Sequence, residues 1–211
     1  MAVVTLNDGT DEDWPQFGLF GDIDVEMLRR FLAELEPLLA MALRKKTAGT
    51  RLKRCAEHFL SAGTHAHGEG EVLTELNAEA VLHYVIALEG LLAGTDPDRA
   101  DFRRKVSQRA AVLAGENDAE RLEIARLVRS AYDVRSAYAH GSYPKEEFDL
   151  PGLRRIVRRC LLTRLIVGDP TADGDLQSVL DKALLSHEVL GRCIRQPVGE
   201  FARRVQSGEQ S

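Results

Sequence analysis

The stretch between residues 73 and 92 sets the strongest limit on what this chain can fold into. Leu73, Leu76, Ala80, Val81, Tyr84, Val85, Leu88, Leu91 and Leu92 recur at helical spacing and spread over more than one side of the helix. Such a helix has no single solvent face and must be enclosed by neighbours. The rest of the chain supplies candidates to enclose it. Val25, Leu28, Leu32, Leu35 and Leu39 mark a helix from residue 22 or 24 to 46, which Pro37 is expected to bend or break. Leu52, Cys55 and Phe59 mark a shorter helix over 50–62. Asp98 is expected to cap a helix that Gly115 ends, with Phe102, Val106, Ala110 and Leu113 facing inward. Asn117 with Glu120 is a variant capping box that opens the next helix, running to His140. Asp149 before Pro151 starts another, with Leu153, Ile156, Val157, Cys160, Leu161 and Leu165 on its inner face. A last helix over 175–190 precedes a polar tail from Gln196 that is expected to fray. No β-alternating segment competes with these patterns. The expected fold is all-α, an antiparallel helical bundle with extra N-terminal and C-terminal helices. Its expected organisation is an irregular leader over 1–21, N-terminal helices over 22–70, a helical core over 71–168, and a C-terminal helix with polar tail over 169–211.

Composition narrows the function classes. Hydrophobic content of 44% beside 29% charged residues is globular. The net charge of −5 argues against a wholly basic nucleic-acid binder, but residues 101–164 hold fourteen Lys or Arg against nine acids. Cys55, Cys160 and Cys193 are odd in number and lie within or beside apolar helical patterns, which suits reduced, buried thiols. With no secretory signal evident and no stretch long enough to span a membrane, the expected setting is cytoplasmic. His65 and His67, with Glu69 and Glu71, form a breaker-rich loop with metal-compatible side chains. Nothing nearby completes a recognised ligand spacing, so a solvated loop is expected and no metal is assigned. The sequence contains no dinucleotide fingerprint, phosphate loop, paired CxxC or nucleophile elbow.

The sharpest irregularity lies in RLVRSAYDVRSAYAHG, residues 126–141. Ile124, Leu127, Val128, Ala131, Val134 and Tyr138 form an apolar stripe, and Arg135 falls in its middle. A guanidinium there is costly unless it is paired or faces a polar cleft. Glu89 is placed to be either a helix-edge charge or the partner of such an Arg from a neighbouring helix. His140 follows five residues later, and Gly141 supplies the helix stop. Arg-to-His spacing alone is cheap: Arg51 and His58 also match it, with six residues between. Arg154, Arg155, Arg158, Arg159 and Arg164 form a second basic feature, readable as a solvated helix face or as an RNA-phosphate contact surface.

Three blocks give the Arg–His pair a context. VIALEGLL (85–92), DFRRKVSQRAAVLAG (101–115) and YDVRSAYAHG (132–141) follow one another in an order and spacing that resembles the Apea-like branch of the HEPN superfamily of helical domains. The likeness is close from Val85 to Gly141 and looser back to Asp24 and forward to Gly168. It implies a HEPN-like bundle and, as in many HEPN members, a homodimeric, metal-independent endoribonuclease. The motif residues that would line the cleft between subunits are Arg135 and His140. Ser136 stands at the supporting position after the Arg, where better-studied members often carry Asn, Asp or His. The resemblance implies no cofactor, an RNA substrate, a second copy meeting the face that carries Arg135 and His140, and a cognate antitoxin or defence-system partner. The implied settings are phage defence and toxin–antitoxin growth control.

The chemistry fits those residue types. Metal-free RNA cleavage needs proton transfer at the 2′-hydroxyl and at the leaving 5′-oxygen, which imidazole can provide. It also needs a cation for the developing phosphate charge, which a bidentate guanidinium provides. On an ideal helix, residues five apart diverge by about 140°. Arg135 of one subunit and His140 of the other would therefore meet more readily than the pair within one chain. Two other readings stand beside this one. The first is a non-catalytic helical module that binds RNA, a nucleotide or a partner protein. The second makes Arg135 a buried partner of Glu89 and His140 a helix cap.

Overall fold

The computed structural model describes residues 22–65, 71–93, 101–142, 148–168 and 175–207. All secondary structure among them is helical: α1 (Asp22–Arg44), α2 (Lys46–His65), α3 (Glu71–Leu92), α4 (Phe102–Ala114), α5 (Asp118–Ala139), α6 (Leu150–Val167), α7 (Leu176–Ala183), α8 (His187–Leu190) and α9 (Gln196–Ser207), with a π-helical turn at Gly191–Arg195. The protein is an all-helical bundle. No helix among the described residues is long and apolar enough to cross a membrane. The aromatic leader, Asp98 and the histidine–glutamate loop side chains fall outside the described residues.

Helix α3 takes the central place its composition demands. Val81, Tyr84, Val85, Leu88 and Leu92 are almost wholly buried, and α3 packs against α2, α4, α5 and α6. Its approach to α2 is close enough that a Cβ on Gly90 would lie 2.5 Å from Cys55 Sγ. A glycine is required there by space, not by backbone angle. Burial raises the Cys55 thiol pKa to about 11, offset in part by Arg51, so it behaves as an apolar filler.

Local chemistry fixes the helix starts. Asn117 Oδ1 accepts from the Glu120 N–H at 2.9 Å, and Glu120 Oε2 reaches back to the Glu116 N–H at 2.7 Å. This is the capping-box variant displaced by one residue. Asp149 caps α6 through the Gly152 N–H at 2.8 Å, and Asp175 caps α7 through the Ser178 N–H at 2.7 Å.

Four features depart from the sequence expectation. The single helix expected over 175–190 is two, α7 and α8, interrupted at Leu184–Ser186, and α4 begins at Phe102 with Asp101, not Asp98, at its N-cap position. Helix α1 continues through Pro37. The N–H that proline lacks would have bonded the carbonyl of Ala33, an exposed residue, where water can substitute. The polar tail from Gln196 is helical through Ser207, where α9 packs on α1. Phe201 meets Phe31 edge-on with ring centroids 5.7 Å apart, and Arg204 Nε donates to Glu34 Oε2 at 2.6 Å. Phe201 and Val205, one turn apart, are the apolar anchors that the tail's overall polarity conceals. The preceding π turn has the Gln196 N–H bonded to the Gly191 carbonyl, immediately before Pro197, which has no N–H to continue the ladder.

One charge lies in the core. Arg109 of α4 is 3% exposed. It forms a fork to Asp181 of α7 through Nε and Nη2, both at 2.8 Å, and Nη1 donates to the Leu92 carbonyl at 2.7 Å. One guanidinium thus ties α4 to α7 and to the C-terminal end of α3.

Two outcomes follow. Gly90→Ala should destabilise by about 1–3 kcal/mol through overpacking, and Cys55→Ala should restore most of that loss in the double variant. Denaturant titration of the two single variants and the double measures the coupling. Asp181→Ala should cost about 3 kcal/mol because it leaves Arg109 buried without its counter-ion. Arg109→Met should cost less in the same titration, since the freed, half-exposed Asp181 can turn to water.

Candidate functional site

The C-terminal half of α5 carries the candidate residues. Ile124, Val128, Ala131 and Val134 are buried and fix the rotation of the helix about its axis. With that face inward, Arg135 emerges at the edge of the core, its side chain 35% exposed. Its Nη1 donates to Glu89 Oε1 of α3 at 2.5 Å. The Glu89 carboxylate, 20% exposed, is thus the counter-charge that the sequence position demanded. Tyr132, one turn earlier on the same side, lies beneath the guanidinium with Cζ 5.9 Å from the ring centroid.

Tyr132 closes the inner side of the cluster. Its hydroxyl is buried beside the Glu89 carboxylate. Burial, and then the adjacent Glu89 charge, raise its pKa well above the ordinary tyrosine value, against smaller opposing effects from Arg135 and Arg103. The phenol is therefore neutral across the physiological range. Nothing in the motif blocks singled it out, although Y-D-V-R places it three residues before the Arg. Asp133 is exposed, as its opposite helical angle predicts, and takes both guanidinium nitrogens of Arg103 at 2.6 Å.

His140 has a different support. The His140 N–H reaches the Ser136 and Ala137 carbonyls at 3.2 and 3.1 Å. Gly141, at φ 71°, turns the chain into the left-handed region. The Gly141 N–H meets the Tyr138 carbonyl at 3.0 Å and the Ser142 N–H meets the Ala137 carbonyl at 2.9 Å. These two bonds make a Schellman cap. The last turn thus ends with His140 at φ −96° and ψ 11°, outside helical geometry. Its side chain is exposed, as is Ser136. The structure brings Arg135, Glu89 and Tyr132 together and leaves His140 at the open end of the same helix.

The α6 arginines are half-buried, not a free outer face. Arg159 joins Glu116 at 3.0 Å and also binds Glu120, and its Nη1 donates to the Ala114 carbonyl at 3.2 Å. Arg155 and Arg159 line a cleft of about 470 Å³ between α5 and α6, with Arg126 and the acids Glu120, Glu123 and Asp149. Charges of both signs line it. A second cavity, of about 240 Å³, lies between α1, α2, α3, α6 and α7 and is lined by Leu38, Leu52, Leu91 and Arg164 among others. Neither cavity includes Arg135 or His140. The Arg51–His58 match separates in space: Arg51 lines the second cavity, whereas His58 Nδ1 lies 2.9 Å from His83 Nδ1. Among the described residues no cluster of three or more His, Cys, Asp or Glu is arranged to hold a metal ion.

The Arg159–Glu120 pair makes stability pH-dependent. Burial raises the Glu120 pKa, but the Glu116 N–H and the Arg159 guanidinium together outweigh it, and the net shift is downward. A depressed carboxylate contributes stability above its unfolded pKa and loses it as pH falls through the lower folded value. Glu120→Gln keeps the cap acceptor and removes the charge. The stability gap between wild type and this variant, read by denaturant titration, should be largest near pH 7 and should narrow below about pH 4.

Comparison with protein-family models, curated proteins and solved structures finds no match to this chain.

Proposed function

We propose that the chain is a HEPN-type, metal-independent endoribonuclease that acts as a homodimer, with Arg135 stabilising the phosphate and His140 transferring protons. The carrying observation is the state of Arg135. Its single charged hydrogen bond to Glu89 uses Nη1, and Tyr132 supports the guanidinium from below. A guanidinium has five N–H donors in a planar fork, so positioning by one of them leaves others for phosphate oxygens. Glu89 holds the group at the surface edge of the core, and Tyr132 limits its swing.

In this reading the 2′-hydroxyl oxygen attacks the adjacent phosphorus while the hydroxyl proton passes to an imidazole. The P–O5′ bond breaks, and the leaving oxygen takes a proton. The products are a 2′,3′-cyclic phosphate and a 5′-hydroxyl, and DNA is not cleaved. Arg135 neutralises the charge that grows on the non-bridging oxygens. The exposed cap position of His140 suits an imidazole that meets a partner's bound RNA, with Arg135 contributed across the two-fold axis. Phage defence and toxin–antitoxin growth control are the proposed settings, and a cognate antitoxin or defence protein is the proposed regulator. The mixed charges of the α5–α6 cleft support a second reading, a non-catalytic module that binds RNA, a nucleotide or a partner protein.

The test is cleavage of RNA in EDTA. Arg135→Ala and His140→Ala should each lower the rate by at least about 100-fold, with the melting temperature of the exposed His140 variant unchanged. An equal mixture of the two dead variants should recover up to about a quarter of wild-type activity. Half the dimers are then mixed, and one of the two sites in each is intact. Loss of wild-type activity on chelation excludes the metal-free mechanism. RNA binding without cleavage selects the second reading.

A further inference from the structure

Helix α1 carries two apolar stripes, and only one of them is covered. Phe31 and Glu34 meet α9, and Leu38 lines the α1–α2–α3 cavity. About 100° around the helix lies a second line through residues 25, 28, 32, 35 and 39, which ends at residue 42, where Ala42 also borders the α1–α2–α3 cavity. Its steps alternate three and four, the a/d spacing of a coiled-coil seam. Val25, Leu28, Leu32 and Leu39 on it are 37–53% exposed, and Leu43 beside it is 48% exposed. Most of the large hydrophobic side chains left exposed on the described surface lie on this one helix. A regular seam of this length is unlike the scattered apolar residues of an ordinary surface.

We infer that this seam is an interface with a second copy of the chain, α1 packing antiparallel on the partner's α1 about a two-fold axis between residues 33 and 34. Reversing the helix on itself brings every a position onto a d position. Leu28 meets the partner's Leu39, Leu32 meets the partner's Leu35, and Val25 meets the partner's Ala42. Charge complementarity fixes the choice of occupant and direction. Arg29 and Glu36 flank the seam on the same edge, seven residues apart. The two-fold axis places Arg29 near the partner's Glu36 and, symmetrically, Glu36 near the partner's Arg29. Within the chain Arg29 rests on Glu26 at 3.0 Å with its side chain 74% exposed. An ion pair that open contributes little and exchanges partners readily.

This surface is separate from the proposed active site. Helix α1 packs against α2, α6 and α9, whereas α5 packs against α3, α4 and α6. The seam therefore stands whether or not the chain cleaves RNA. Alone it gives a dimer, and with a dimer across the α5 face it closes at four chains where the two axes meet at right angles.

Sedimentation of the full-length chain tests the interface. Leu32→Glu should halve the mass of the assembly and leave the helical circular dichroism unchanged. Arg29→Glu and Glu36→Arg should each weaken association, and the double charge swap should restore it. Leu28→Cys and Leu39→Cys variants, mixed under mild oxidation, should form the mixed disulfide in preference to either homodisulfide, because the three native thiols are buried. A wild-type mass equal to that of Leu32→Glu overturns the interface. Preferential Leu28→Cys homodisulfide overturns the antiparallel arrangement, and failure of the charge swap to restore association overturns the pairing of Arg29 with Glu36.

Discussion

Enclosure of α3 on all sides is the constraint that the other helices serve. A helix with apolar residues around most of its circumference has no stable position at a surface, and here four helices surround it. The enclosure also determines where polar groups can lie. Glu89 is on α3 near its C-terminal end, where the wall of α5 leaves an edge, and the carboxylate meets Arg135 there. Three residues on, the Leu92 carbonyl receives Arg109. The end of the most apolar helix is thus where the buried Arg109 and the half-buried Arg135 of the neighbouring helices find acceptors.

The two arginines show how far sequence reading reaches. Arg135 is conspicuous because it interrupts an apolar stripe. Arg109 interrupts one equally, between Val106, Ala110 and Leu113, and lies in the same family-like block as those residues. Pattern alone does not separate a guanidinium that seals a core from one that faces outward, because the distinction depends on which helix covers the position. For Arg109 the cover is α7, far along the chain, and the pairing with Asp181 has no local sign. For Arg135 the α5 stripe, the Gly141 stop and the Glu89 partner were all legible, since each follows from helical angle or cap chemistry. Tyr132 was less so, because an aromatic on the edge of a stripe ordinarily reads as core.

Helix termini follow the same division. Asn117, Asp149 and Asp175 act through bonds three residues away and are readable from the chain. Pro37 does not break its helix, because the cost of the missing bond depends on whether the deprived carbonyl meets water or apolar surface. The segment after Gln196 misleads because two buried anchors, Phe201 and Val205, are enough to hold a helix whose other faces are charged. The α6 arginines divide in a similar way. Sequence locates the charge density, but the pairing of Arg159 with Glu116 and Glu120 depends on how α4, α5 and α6 converge.

The Schellman turn at Gly141 gives Arg135 and His140 unequal mechanical origins. Arg135 belongs to the rigid body of the bundle, coupled through Glu89 to its innermost helix. His140 hangs from a cap whose geometry rests on two backbone bonds and one residue with positive φ. A substitution at the Gly141 cap would therefore shift the imidazole while the Arg135–Glu89 pair and the core beneath it stay in place. The guanidinium is thus held by the packed interior, and the imidazole by the backbone bonds of a single turn.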